Sequence, residues 1–197
     1  KILPVLEEGN SVRTLNFNED EVKLLKGFQL LTNKPVMYVA NVGENSFLDN
    51  PHLEAVVNVA KLENSEAIAI CADIEVEIAE LDEQEKYEFL KEMGQTESGL
   101  DRLIKAGYKL LGLQTYFTAG VQEVRAWTIN VGDNAPQAAG KIHGDFEKGF
   151  IRAETVAFDD FISNNGEKGA KEAGKLRSEG KEYIVKDGDV MHFLFNV

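Results

Sequence analysis

From Asn18 onward the chain alternates between helical and strand-like spacing of its hydrophobic positions. Asn18 is a favourable N-cap, and Glu19, Asp20 and Glu21 suit the positive end of a helix. Val22, Leu24, Leu25, Phe28, Leu30 and Leu31 then give a mostly helical apolar pattern. Asn33-Lys34-Pro35 is expected to end it, because a proline pushes the preceding residue out of helical geometry. An apolar strand over 36–40 (VMYVA) follows, then the polar loop NVGENSFLDN, then a helix from Pro51 to about Leu62. AIAICA, 67–72, reads as a second short strand, and LDEQEKYEFLKEM, 81–93, as an acidic amphipathic helix. SGLDRLIKAGYKLLGL, 98–113, reads as another helix with Leu100, Leu103, Ile104, Tyr108 and Leu111 on one face. Strand, helix, strand, helix predicts a parallel α/β arrangement.

The texture changes after Leu113. QTYFTAGVQEVRAWTINVG reads as strand, turn, strand, and APQAAGKIH as a short helix with Pro136 near its start. FIRAETVAF is a strand, DDFISN a helical turn, and NGEKGAKEAGKLRSEGK a Gly- and charge-rich loop. EYIVKDGDVMHFLFNV predicts a final pair of strands around an Asp-Gly-Asp turn. This set of short strands with one main helix, packed into about 85 residues, fits a compact β-grasp (ubiquitin-like) domain, with a boundary near Gly112. The opening KILPVLEEGN carries no helix or strand signal, and the chain starts at Lys1 rather than methionine. The natural protein is therefore expected to begin well upstream.

Composition narrows the class. The 197 residues are 43% hydrophobic, ordinary for a globular protein. No apolar run approaches the roughly 18 residues that span a bilayer, and no signal peptide is visible. The single cysteine, Cys71, excludes an internal disulfide and suits a reducing, cytoplasmic location. Net charge is −13, which opposes broad coating of a phosphate backbone. Residues 1–112 hold 11 Lys and Arg against 21 Asp and Glu, net −10; residues 113–197 hold 10 against 13, net −3. Any nucleic-acid contact is expected in the second part, and no DNA specificity is evident.

The strand at 36–40 stops on Asn41-Val42-Gly43-Glu44, placing an amide and a carboxylate at its tip. In doubly wound folds ligands bind beyond the carboxyl ends of strands, and an amide beside an acid can read a purine edge. A polar loop with a helix cap explains the same spacing. The second strand ends on Cys71-Ala72-Asp73, where P-loop NTPases place a Ser-Ala-Lys-like loop beneath the base. Its useful groups there are backbone amides, which Cys and Ala supply; Asp73 departs from the usual Lys. Asn33-Lys34-Pro35-Val36 imitates a base-reading motif but precedes the strand and lacks the acid. The phosphate side has no counterpart: Gly169 to Lys175, GAKEAGK, is followed by Leu176 where Ser or Thr is required. His52, His143 and His192 have no metal-cage spacing. His192 reads as a solvent-facing strand residue, Cys71 as a packed small residue and Trp127 as core.

With KPVMYVANVGE, CADIEVEIAELDEQEKYEFL, GLDRLIKAGYKLLGLQTYFTAGVQEVRAWTI, APQAAGKIHGDFEKGFIRAE and KEAGKLRSEGKEYIVKDGDVMHFLFNV in view, the whole chain resembles the YchF family, the Obg-like ATPases. The resemblance implies the C-terminal portion of a P-loop NTPase α/β domain followed by a β-grasp TGS domain. Residues 1–33 would be the end of a helical insertion and the return helix, 34–111 the last part of the nucleotide domain, and 112–197 the TGS domain. Asn41 to Glu44 would be the family's Asn-x-x-Glu base-recognition motif, with Asn41, Val42, Glu44, Cys71 and Ala72 around the base. The implied ligand is ATP or GTP with Mg²⁺, the metal ligands lying upstream. The implied partners are a purine nucleotide and the ribosome or RNA; Lys141, His143, Lys148 and Arg152 read either as a local basic patch for that contact or as a solvated β-grasp face. A monomer is expected, and without a phosphate loop these residues alone are expected not to hydrolyse nucleotide. A non-catalytic RNA- or ribosome-binding module switched by nucleotide is the other reading.

Overall fold

The computed structural model describes residues 1–196 and divides into two compact units, Lys1–Leu111 and the residues from Gly112 onward. In the first unit, helix α1 spans Ile2–Glu7, where no element was expected, and α2 spans Glu19–Phe28. Asn18 and Glu21 form a reciprocal capping box, each side chain accepting from the other's backbone N–H at 2.9 Å. Helix α2 ends earlier than the proline suggested: Gln29 turns left-handed at φ 50°, and a 3-10 turn at Leu31–Asn33 carries the chain on to Pro35.

Strand β1 (Tyr38–Asn41) pairs in parallel with β2 (Ala67–Ile70), from Tyr38 opposite Ala67 to Asn41 opposite Ile70. Between them α3 (Pro51–Leu62) starts on Asn50, whose side chain accepts from His52 and Leu53 N–H, with Pro51 in the first turn. After β2 come α4 (Ala72–Glu80), α5 (Glu83–Glu92) and α6 (Gly99–Leu111). Helix α4 was not foreseen. Glu75 on it accepts from Gly99 N–H at 2.7 Å and Leu100 N–H at 3.0 Å, capping α6 from 24 residues away.

Helix α6 corrects the expected face. Leu100, Ile104 and Leu111 are exposed, while Gly99 and Ala106 are the buried residues of the helix. The helix lies against β2 with Arg102 Nη2 donating to the Ala69 carbonyl, and small residues permit that approach. Around α4 and α5 a small core gathers Cys71, Ile74, Ile78 and Leu90, with Phe47, Phe89 and Met93 packed on it.

The second unit is a five-stranded sheet in the order β4-β3-β7-β5-β6. Its strands are β3 (Leu113–Ala119), β4 (Val124–Asn130), β5 (Phe150–Ala157), β6 (Arg177–Glu179) and β7 (Asp189–Phe195). The first and last strands meet in parallel at Phe117–Val190, and the other pairings are antiparallel. Helices α7 (Ala135–Ile142) and α8 (Gly144–Lys148) cover one face. Ala135, Ala138 and Ala139 are fully buried against Tyr116, Ile129, Phe150, Met191 and Phe193. Tyr116 donates its hydroxyl to the Ala138 carbonyl at 2.9 Å, and burial pushes that phenol above its ordinary value. This is the β-grasp arrangement.

Two expectations fail here. The charged Gly-rich segment is not a plain loop: it contains α10 (Glu167–Glu172), after α9 (Phe158–Ser163), and then β6. Tyr183–Val185 does not form a last strand. Ile184 makes one isolated bridge to Asn134, and Val185 N–H donates to Asp133, because the loop is held instead by side chains converging on Asp189. Among the described residues no helix is long and apolar enough to cross a membrane.

Candidate nucleotide site

The tips of β1 and β2 lie side by side, because parallel register sets Asn41 opposite Ile70. Asn41 Oδ1 accepts the N–H of Ala72 at 3.1 Å, and Val42 N–H donates to the Ile70 carbonyl at 2.8 Å. Two crosslinks therefore join the first strand's tip to the end of β2 and the start of α4. The bond to Ala72 also orients the amide of Asn41, leaving its Nδ2 donors facing away from that partner. Val42 is buried. Cys71 is 1% exposed and closes β2 as a packed thiol. Gly43, Glu44 and Asn45 stand exposed in the loop, and Ser46 N–H turns back onto the Gly43 carbonyl at 2.9 Å. Phe47 anchors the loop against the α4–α5 core.

Behind the tip, Tyr38 donates its hydroxyl to Glu63 Oε2 at 2.8 Å, and Arg13 Nη2 reaches the same oxygen at 3.1 Å. The hydrogen bond from Tyr38, then that from Arg13, holds the Glu63 carboxyl below its usual value, and Glu63 raises the Tyr38 phenol in turn. This cluster fixes where β1 begins. It joins residues up to 50 positions apart and has no local sequence signal.

The structure brings Asn41, Val42, Cys71 and Ala72 together, with Glu44 at the edge of the same loop. In the second unit Lys141, His143 and Lys148 occupy the α7–α8 corner, all exposed. Arg152 lies on β5, 3.9 Å from Glu154. Asp145 and Glu147 interleave with the lysines, and His143 Nδ1 accepts from Asp145 N–H at 3.2 Å. GAKEAGK lies across α10, with no strand leading into it. Among the described residues no three His, Cys, Asp or Glu side chains converge to hold a metal ion. Trp127 packs against the core of the second unit as a half-buried side chain, its Nε1 donating to Thr118 Oγ1 at 2.9 Å.

Known proteins carry a similar sequence through both units. The chain is 60% identical over all 197 residues to the ribosome-binding ATPase YchF of Pasteurella multocida, and 56% identical to that of Bacillus subtilis. The chain belongs to the YchF family. The family's C-terminal region, described as YchF-GTPase_C, a protein of unknown function (DUF933), matches residues 113–196. The solved YchF GTPase of Schizosaccharomyces pombe superposes with a TM-score of 0.81 at 35% identity, over 95% of this chain and 50% of that one. The chain spans about half the length of the curated YchF relatives, 54% of the first and 55% of the second. Its fold is the C-terminal portion of a P-loop NTPase α/β domain followed by a β-grasp domain of TGS type.

Proposed function

We propose that this chain is the C-terminal half of a YchF-type protein that binds and hydrolyses ATP, GTP or both and associates with the ribosome or RNA. Residues 34–111 are the last part of the nucleotide domain, 1–33 the return from a helical insertion, and 112–197 the TGS domain. The observation carrying this reading is the Asn41 Oδ1 to Ala72 N–H bond, which ties together the two loops that flank a purine in such domains. Asn41 acts as the brace. Val42, Glu44, Cys71 and Ala72 surround the base, the Val42 carbonyl accepting from an exocyclic amino group. The names of the curated relatives support the ATPase and ribosome parts.

Mg²⁺ in such enzymes rides on the nucleotide phosphates. Among the described residues no set of His, Cys, Asp or Glu side chains fits it. The test is nucleotide titration of the protein carrying the complete nucleotide domain. Asn41→Ala is expected to weaken ATP binding roughly tenfold, the scale of one lost hydrogen bond and its unpaired partner. Unchanged affinity would remove Asn41 from the site.

The runner-up, a ribosome-docking module that the nucleotide merely switches, draws on the exposed lysines of the α7–α8 corner. Ribosome association that falls with salt and with Lys141→Glu supports that electrostatic face; indifference to both removes it.

A further inference from the structure

The sheet of the second unit is split along its middle. Strand β3 runs seven register pairs beside β4 but shares one with β7, Phe117 with Val190. Beyond Val190, β7 keeps β5 as its strand neighbour, from Met191 to Phe195. The β3–β4 hairpin tip and β7 line an open, wedge-shaped groove of about 670 Å³, inside the ~300–1,000 Å³ span of small-ligand sites.

The walls of that wedge are aromatic. Trp127 comes from β4, Phe146 from α8, and Phe193 and Phe195 from β7. Phe146 and Phe195 stack with centroids 3.8 Å apart, and Phe195 keeps 36% of its surface exposed. Basic side chains lie near these rings, with Asp145 and Glu147 interleaved among them. The Arg125 guanidinium lies 4.3 Å from the Trp127 centroid, and its one carboxylate neighbour, Glu123, is 3.8 Å away at the wedge's edge. The His143 ring lies 6.4 Å from Phe146. Lys141 adjoins Ile142, a lining residue, and Lys148 follows two residues after Phe146; both lysines are exposed.

The part-exposed Phe195 ring, with basic side chains nearby, suits a ligand that brings flat apolar surface and negative charge together. An unstacked nucleobase with its phosphates has that chemistry; a duplex keeps its bases stacked inside. We propose that the wedge between the β3–β4 hairpin and β7 takes a base of single-stranded RNA, with adjacent phosphates on Arg125, Lys141 and Lys148. This rests on the reading of the second unit as the ribosome- or RNA-contacting face, and specifies what that face reads.

Trp127 is the chain's one tryptophan, so its emission reports directly on the wedge. An oligouridylate of about ten nucleotides, within the ~4–16 that such sites span, is titrated against the chain. Saturable quenching that weakens with salt is expected, with no response to an RNA duplex of equal length. Phe195→Ala is expected to weaken the oligouridylate roughly 5- to 150-fold, the range for one lost stacking surface. Lys141→Glu, on an exposed side chain, weakens it several-fold and guards against misfolding as the cause. No quenching, equal quenching by duplex, or quenching by an extended strand-forming peptide but not by RNA overturns the proposal. Co-sedimentation with ribosomes runs in parallel. If the chain sediments with ribosomes yet ignores oligouridylate, the wedge proposal falls and the ribosome reading stands; if it does neither, both fall.

Discussion

At the residue scale, the second unit depends on a carboxylate that water hardly reaches. Asp189 is 2% exposed. It accepts from the Tyr183 hydroxyl at 2.7 Å, from Lys186 N–H at 2.9 Å and from Arg177 Nη2 at 3.3 Å. The three donors come from the stretch 177–186, which otherwise has little regular structure to hold it. Removing the acceptor strands all of them, one being charged. Asp189→Ala is therefore expected to cost about 2–3 kcal/mol, read as a lower urea midpoint at unchanged slope. A loss below about 1 kcal/mol would mean that water replaces the carboxylate. The same cluster sets a pH response. Burial first, and then the bond to Asp189, push the Tyr183 phenol up to about 12 from its ordinary 10.0. The folded state thus holds that proton more tightly than the unfolded chain. The contribution is complete below pH 10 and is lost as pH rises from 10 towards 12. Tyr116 acts with the same sign, so the comparison that isolates Tyr183 is Tyr183→Phe, which should flatten part of the alkaline decline in the urea midpoint.

At the element scale, the fold was legible wherever one period governed a segment and its core-facing residues were local. Helix α7 announces itself through Pro136 and the run of alanines, and β5 through its apolar length; the Asn134 cap was missed. Helix α4 hides because Ile74, Val76 and Ile78 alternate as in a strand, yet Ile74 and Ile78 are the buried i, i+4 pair and Val76 is 62% exposed. Helix α6 misled because its apolar stripe is not the face against β2. At the candidate site, Asn41 and Glu44 could be picked from the strand tip and from the family resemblance. The bond that gives Asn41 its task spans 31 residues and depends on parallel register, which no local pattern encodes. Helix α10 hides for a further reason: Ala170 is its one buried residue, and glycine dominates its surroundings. Gly169 is there for space. A Cβ at that position would run into the Asn164 carbonyl at the end of α9. Gly169→Ala is expected to destabilise the protein by about 1–3 kcal/mol through overpacking, although alanine is the better helix former. A stabilising Gly169→Ala in thermal unfolding would show that the α9–α10 turn relaxes freely.

At the scale of the whole molecule, the nucleotide-base site proposed around Asn41 stands, among the described residues, without a side-chain cluster suited to a metal or a phosphate loop. The glycine-rich segment with a terminal lysine is taken up by α10 and the turn after it, its first residue, Gly169, pressed against the end of α9. No acidic or histidine cluster among the described residues suits a metal. The surface charge is also unfavourable, since residues 1–112 carry net −10 and repel a polyphosphate rather than attract it. Binding to this chain alone must then come from the base, through the loops that Asn41 and Val42 tie together. Adenosine, ADP and ATP should bind with affinities within a few-fold of one another. All should be weak, on the order of millimolar, the scale of ~4 kcal/mol that a few base contacts supply. Chelating Mg²⁺ should change nothing, and no phosphate release should survive further purification. Asn41→Ala should weaken the three ligands equally. Equilibrium dialysis of the three against the chain decides the matter. A preference for ATP over adenosine beyond tenfold, or one that disappears with EDTA, would place phosphate-holding groups within these residues and overturn the division of labour argued from Asn41 and α10.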